Sequence, residues 1–218
     1  MNNIKIAPSI LSADFAEMGS AVKQLELNGA DYIHCDVMDG LFVPNLTFGI
    51  KMIADLKKAT KVPLDVHLMI VEPERYIEEF KKAGADIITI HYEACKKPVI
   101  EVLNEIRKLG VKSAVSIKPD TPVEVLKDLL PYLDMILIMS VYPGYGGQKY
   151  IPESTERINK TYEYIKNSGY DIMLEVDGGI KADNVKEVKD AGANVIVAGS
   201  SVFNAEDMGI AIKELREN

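Results

Sequence analysis

The chain has 218 residues, 47% of them hydrophobic, and a formal net charge of −8, which argues against nucleic acid or an anionic membrane as partner. No apolar run approaches the ~18 residues of a spanning helix. Two cysteines, Cys35 and Cys95, form no disulfide framework, and the opening "MNNIKIAPSI" has no signal-peptide pattern, so a soluble protein of a reducing compartment, the cytoplasm, is expected.

Short β-branched runs alternate with amphipathic stretches along the chain. Strands are expected over 4–10 (IKIAPSI), 32–38 (YIHCDVM), 64–69 (LDVHLM), 86–91 (DIITIH), 112–117 (KSAVSI), 135–140 (MILIMS), 172–177 (IMLEVD) and 194–199 (NVIVAG). The segments after them read as helices, with apolar positions at helical spacing in FAEMGSAVKQLELNG, ERYIEEFKKAGA, VIEVLNEIRKLG and ADNVKEVKDAGA. A junction repeats at NGADYI (28–33), KAGADII (82–88) and DAGANVI (190–196), where Gly closes a helix by taking the left-handed conformation and a strand follows at once. Helix-then-strand repeated in this way implies a parallel sheet with helical crossovers. No linker divides the chain, so a single-domain (β/α)8 TIM barrel over residues 1–218 is expected, a size that suits eight βα units. A doubly wound open sheet is the alternative, but no Gly-rich loop follows the first strand.

The working end of such a barrel lies at the C-terminal ends of its strands. Ser9 and Ser12 close strand 1, and Asp14 suits the N-cap of the next helix. His34, Asp36 and Met38 alternate along strand 2 and so share a face; Asp65, His67 and Met69 repeat the pattern on strand 3. Strand 7 adds Glu175 and Asp177, followed by two glycines. Two imidazoles and two carboxylates (His34, Asp36, His67, Asp177) suit a divalent transition metal such as zinc, iron, manganese or cobalt. A hydrogen-bonded polar plug is the better account of one strand histidine, but not of two in matching phase with an Asp before Gly-Gly. Cys35 has the opposite parity and should face the helices. Asp65 and Glu175, one layer deeper, suit acceptors that orient the histidines, or a structural ion pair. His91 suits a hydrogen-bonding or capping role near the rim. Met38, Met69 and Met139 suit core filling, or an apolar lining that keeps water from a reactive intermediate.

Three glycine-bearing segments remain: PGYGGQ (143–148), DGG (177–179) and GSS (199–201). Glycines at strand-to-helix turns expose backbone N–H groups, and the loops after strands 7 and 8 are a frequent phosphate site in this barrel. Such donors attract an anion without Arg or Lys, which reconciles an anionic ligand with the acidic chain. PGYGGQ is also long and flexible enough to act as a lid.

Taken together, APSILSADFA, IHCDVMDGLFVPNLTFG, LDVHLM, AGADIITIHYEA, MSVYPGYGGQKYIPE, LEVDGGI and AGSSVF resemble the ribulose-phosphate 3-epimerase family in order and spacing over nearly the whole chain. The resemblance implies a (β/α)8 barrel that binds one divalent metal and inverts C3 of a small sugar phosphate, D-ribulose 5-phosphate to D-xylulose 5-phosphate, through a cis-enediolate. It implies His34, Asp36, His67 and Asp177 as metal ligands, with Asp36 and Asp177 as the two acid/bases. Substrate-binding positions would be Ser9, His67, Gly144, Tyr145, Gly146, Gly147, Asp177, Gly178, Gly179, Gly199 and Ser200, with Met38, Met69 and Met139 as apolar lining. Tyr142 stands where many members have Asn, Tyr145 replaces Phe, Tyr92 replaces Pro, and Lys118 stands where many bacterial members have Asn. The same chemistry on D-allulose 6-phosphate is the nearest alternative. A Schiff-base aldolase with Lys118 as nucleophile is another, although it leaves both histidines unexplained. Exposed helix faces suggest a homo-oligomer.

Overall fold

A computed structural model describes residues 4–218. Its strands are β1 (Lys5–Pro8), β2 (Ile33–Met38), β3 (Leu64–Met69), β4 (Ile87–His91), β5 (Lys112–Ile117), β6 (Met135–Met139), β7 (Met173–Asp177) and β8 (Val195–Ala198). They form one eight-stranded sheet in the order β1-β8-β7-β6-β5-β4-β3-β2, with every pairing parallel. The ring closes between β1 and β2 at a thinner seam. There the N–H groups of Asp31 and Tyr32 donate to the Ile6 carbonyl, and Ser9 bridges to His34. This is the expected (β/α)8 barrel.

Outside it lie α1 (Met18–Leu27), α2 (Ile50–Ala59), α3 (Ile77–Ala83), α4 (Val99–Lys108), α5 (Ser154–Ser168), α6 (Val185–Asp190), α7 (Ser200–Phe203) and α8 (Met208–Glu217). Asp14 caps as expected, its carboxylate accepting the Ala16 N–H at 2.9 Å, although the first turn it caps is a 3-10 turn, Phe15–Glu17, that leads into α1. One expected helix takes another form: Val123–Tyr132 between β5 and β6 is a 3-10 run. Pro131 near its end lacks the N–H that an α-helical bond needs. Among the described residues no helix is long and apolar enough to cross a membrane.

Strand alternation divides the interior in two. Ile33, Cys35 and Val37 of β2 and Val66 and Leu68 of β3 face the helices in the main apolar cluster. Each such side chain contributes about 1.5–3 kcal/mol when fully buried. The inward set begins with an apolar plug of Ala7, Ile87, Ala114, Met135 and Val195 and becomes polar toward the strands' carboxyl ends.

The repeated junction has a second use beyond closing helices. Gly192 takes φ +116°, and a Cβ there would meet the Tyr162 ring at 2.4 Å, so only glycine fits. The next polar residue clamps the preceding strand. Asp31, Asp86, Asp134 and Asn194 accept the first free N–H of β1, β3, β5 and β7, from Ile6, Leu64, Ser113 and Leu174, at 2.8–2.9 Å. Their own N–H groups return the bond to the carbonyls of the same four residues. The strands are thus pinned in four pairs at the amino end, away from the polar layer.

Asn194→Ala leaves the Leu174 N–H without its acceptor and should lower stability by about 1–3 kcal/mol in denaturant unfolding. Asn194→Asp, which restores the acceptor used by the other three pairs, should retain most of it.

Candidate active site at the carboxyl ends of the strands

The β2–β3 register sets His34 beside Asp65, Asp36 beside His67 and Met38 beside Met69. Parallel pairing therefore turns two alternating sequences into one ladder of acid–imidazole rungs, all facing inward. His34 Nδ1 lies 2.6 Å from Asp65 Oδ2 and donates to it, which leaves Nε2 directed at Asp36 Oδ1 (3.3 Å) and His67 Nδ1 (3.3 Å). Asp36 Oδ1 is also 3.2 Å from His67 Nδ1. Its Oδ2 accepts the Ser9 hydroxyl at 2.5 Å. Thr47 fixes the end of β2, donating to the Asp36 carbonyl and accepting the Met38 N–H. Across the ring, Ser140 donates to the carbonyls of Asp177 (2.9 Å) and Gly178 (2.8 Å), which anchors the end of β7.

His34, Asp36, His67 and Asp177 each offer an atom to a cluster in which all lie within 4.8 Å of one another. Two imidazole nitrogens and two carboxylate oxygens in this compass are a donor set for a divalent transition metal, and the Asp65 bond already turns His34 Nε2 inward. The site can hold such an ion. Cys35 lies on the opposite side of β2 among apolar residues, as its parity requires, and burial pushes its thiol pKa up.

Burial opposes ionisation of Asp36, but the His34 and His67 imidazoles outweigh it and hold the carboxylate well below its usual range. Burial also opposes charge on His34, yet Asp36 and then Asp65 raise its pKa well above the ordinary imidazole value. Asp177 is shifted the other way: burial, then the nearby Asp36 charge, push it up to about 6. The two aspartates of the cluster thus differ in protonation. Glu175 departs from expectation. Its oxygens have no hydrogen-bond partner among the described residues, and Oε1 stays 3.7 Å from His34 Nδ1. Asp65 takes the His34 proton, and burial together with the Asp65 charge raises the Glu175 pKa.

His91, expected to hydrogen-bond near the rim, is fully buried and lies behind His67, with Nε2 2.9 Å from His67 Nε2 and Nδ1 3.2 Å from Glu93 Oε2. Burial lowers its pKa to about 4 against the pull of Glu93. Glu93 in turn is held at about 2: burial resists, but bonds from His91, Thr121 and the Lys118 N–H prevail.

One cavity opens above this layer. Ser9, Asp36, Gly144, Tyr145, Gly146, Gly147, Asp177, Gly178, Gly179, Gly199 and Ser200 line it, as do Met38, Met69 and Met139. His34 and His67 lie beneath its floor with no exposed surface. The turn at Gly179 admits no side chain, since a Cβ would stand 2.4 Å from the Tyr150 nitrogen. Leu11, Ser12, Gln148 and Lys181 also line the wall. Lys181 adds a cation that the glycine pattern did not require, and only its place after DGGI in the sequence hinted at it. Segment 143–148 is tethered across the opening: Asn45 donates to the Gly144 carbonyl and the Tyr145 hydroxyl to the Pro44 carbonyl. Lys118 is elsewhere, its ammonium 4.0 Å from the centre of the Phe42 ring, in a separate recess with Tyr142. A nucleophilic role for it finds no support in that position.

An all-parallel eight-stranded barrel with paired acids and imidazoles beneath a glycine-walled opening at the strands' carboxyl ends has the layout of a TIM-barrel enzyme. The chain belongs to the ribulose-phosphate 3 epimerase family, whose model matches residues 5–203. It is 50% identical over 217 residues to ribulose-phosphate 3-epimerase of Synechocystis sp., across 99% of this chain and 94% of that protein. The enzyme of the same name from Bacillus subtilis is 47% identical over 214 residues, 98% of each chain. Among solved structures, 3-hexulose-6-phosphate synthase is similar with a TM-score of 0.70 at 19% identity, over 98% of both chains, a likeness of fold.

A proton on His34 Nε2 or on the Asp177 carboxylate must leave when a cation takes either atom. Divalent-metal binding should therefore release protons and tighten as pH rises through about 6, where Asp177 ionises, by up to about tenfold per pH unit for each proton released. Isothermal titration of the metal-free protein in buffers of different ionisation enthalpy measures both.

Proposed function

We propose that the protein is a divalent-metal-dependent epimerase that inverts C3 of a ketose phosphate, interconverting D-ribulose 5-phosphate and D-xylulose 5-phosphate. The observation that carries this reading is the pairing of Asp36 and Asp177. They stand on strands separated by β1 and β8, line one cavity and differ in proton affinity. Inversion at carbon needs a base on one face of a planar intermediate and an acid on the other. Asp36, its charge sustained by His34 and the Ser9 hydroxyl, suits the base. Asp177, proton-bearing up to about pH 6, suits the donor on the opposite face. In the reverse direction the two exchange roles.

Zinc, iron, manganese or cobalt held by His34, Asp36, His67 and Asp177 would supply polarisation of the substrate's C2 carbonyl, which acidifies the C3 proton. Met38, Met69 and Met139 present an apolar wall beside the aspartates, suited to keeping water from the deprotonated carbon. The glycine turns at Gly146–Gly147, Gly178–Gly179 and Gly199–Ser200, with Lys181 nearby, suit the phosphate. A cytoplasmic setting fits the free thiols Cys35 and Cys95, and a homo-oligomer fits the exposure of Leu27, Leu41 and Leu46, each above 70%.

The test is incubation with D-ribulose 5-phosphate in D2O, with D-allulose 6-phosphate in parallel, before and after metal stripping. Xylulose 5-phosphate should appear with deuterium at C3, fail to appear after stripping, and return with a divalent ion. Asp36→Asn and Asp177→Asn should each lower kcat by about 10²–10⁴-fold. Preference for the hexulose would change the substrate and keep the mechanism; no exchange into either sugar by metal-replete protein would sink the proposal.

A further inference from the structure

The outer edge of His67 is held by a chain of polar groups for which the proton transfers above have no use. His67 Nε2 lies 2.9 Å from His91 Nε2, and the rings meet edge to edge, tilted by 26° with centroids 5.0 Å apart. His91 Nδ1 faces Glu93 Oε2 at 3.2 Å. Glu93 Oε1 accepts the Lys118 backbone N–H at 2.8 Å and the Thr121 hydroxyl. Phe42 covers the His91 ring, centroids 4.8 Å apart. Neither His91 nor Glu93 lines the cavity, so neither can touch substrate there.

Two imidazole nitrogens at this distance need one donor and one acceptor. The direction is set from the outside inward. A backbone N–H only donates, so Glu93 accepts at Oε1, and as a carboxylate it accepts again at Oε2. His91 then carries its proton on Nδ1 and offers the Nε2 lone pair. His67 must donate from Nε2, which leaves Nδ1 bare, and Nδ1 is the nitrogen that faces Asp36 Oδ1 at 3.2 Å and His34 Nε2 at 3.3 Å. We infer that His91 and Glu93 are positioning residues: they fix His67 as its Nε2–H tautomer and so aim the Nδ1 lone pair into the donor cluster. Asp65 does this for His34 directly; for His67 the carboxylate acts through an intervening ring and ties a candidate ligand on β3 to the loop after β5. That the lone pair serves a cation rests on the function proposed above.

Glu93→Gln tests the direction of the chain. The amide oxygen can keep the Lys118 and Thr121 bonds, while its NH2 now faces His91 and donates. Every proton in the relay then reverses, and His67 becomes protonated on Nδ1. His91→Phe removes the acceptor, whereas His91→Gln can offer an amide oxygen to His67 Nε2–H. Ring-nitrogen 15N NMR of the metal-free full-length protein reads the tautomer, and titration with Zn2+ or Co2+, with the Co2+ absorption spectrum, reads the site. Expected are an Nε2–H His67 in the parent chain and an Nδ1–H His67 in Glu93→Gln. Metal affinity should fall on the order of 10–100-fold in Glu93→Gln and His91→Phe, and return to within a few-fold in His91→Gln. An unchanged His67 tautomer in Glu93→Gln, or parent-like metal affinity in both weakened variants with only thermal stability lowered, would overturn the inference. If the parent chain takes up neither metal, the metal-dependent reading fails, while the 15N spectra of parent and Glu93→Gln still decide the relay.

Discussion

The charge on Asp36 is the constraint around which the upper half of the barrel is built. A carboxylate almost wholly withdrawn from water is costly unless its oxygens are occupied. Here Oδ2 takes the Ser9 hydroxyl, while Oδ1 faces both imidazoles of the rung below and beside it. Those imidazoles need partners in turn, which accounts for Asp65 behind His34 and His91 behind His67. Polarity therefore spreads outward from one side chain until it reaches groups with backbone donors, such as Glu93.

The seam of the barrel and the site meet at the same residue. Ser9 bridges β1 to β2 through its backbone at His34 and through its hydroxyl at Asp36. It also accepts the Leu11 N–H as it turns the chain out of β1. Closure of the ring and compensation of the buried carboxylate are thus one local arrangement. At the other end, the four Asx clamps hold strand pairs without involving the polar layer. That division places rigidity below and chemistry above, where the glycine-rich turns can vary in shape around a fixed floor.

Much of this was visible along the chain. Eight β-branched runs with helical spacing between them specified the barrel, and the parity of His34, Asp36, His67 and Asp177 specified an inward cluster. Less was visible where bonds are long-range. Asp65 and Glu175 look alike in sequence phase, yet one binds His34 at 2.6 Å and the other has no hydrogen-bond partner among the described residues. Val123–Tyr132 has a helical apolar pattern but carries Pro131 and winds as a 3-10 run. His91 read as a rim residue and proved to be a buried link between a candidate ligand and Glu93.

By itself the sequence determined which side chains turn inward and where the backbone needs glycine. Both are local properties: side-chain direction follows the two-residue period of a strand, and a left-handed turn excludes a Cβ wherever it occurs. Only the tertiary structure decided which inward residues meet. That depends on the stagger of one strand against the next, which puts Asp36 beside His67 and carries Lys118 away to Phe42. It also decided which nitrogen of each histidine faces the cluster, because the partners on the rings' outer edges, Asp65 for His34 and His91 for His67, lie on other strands.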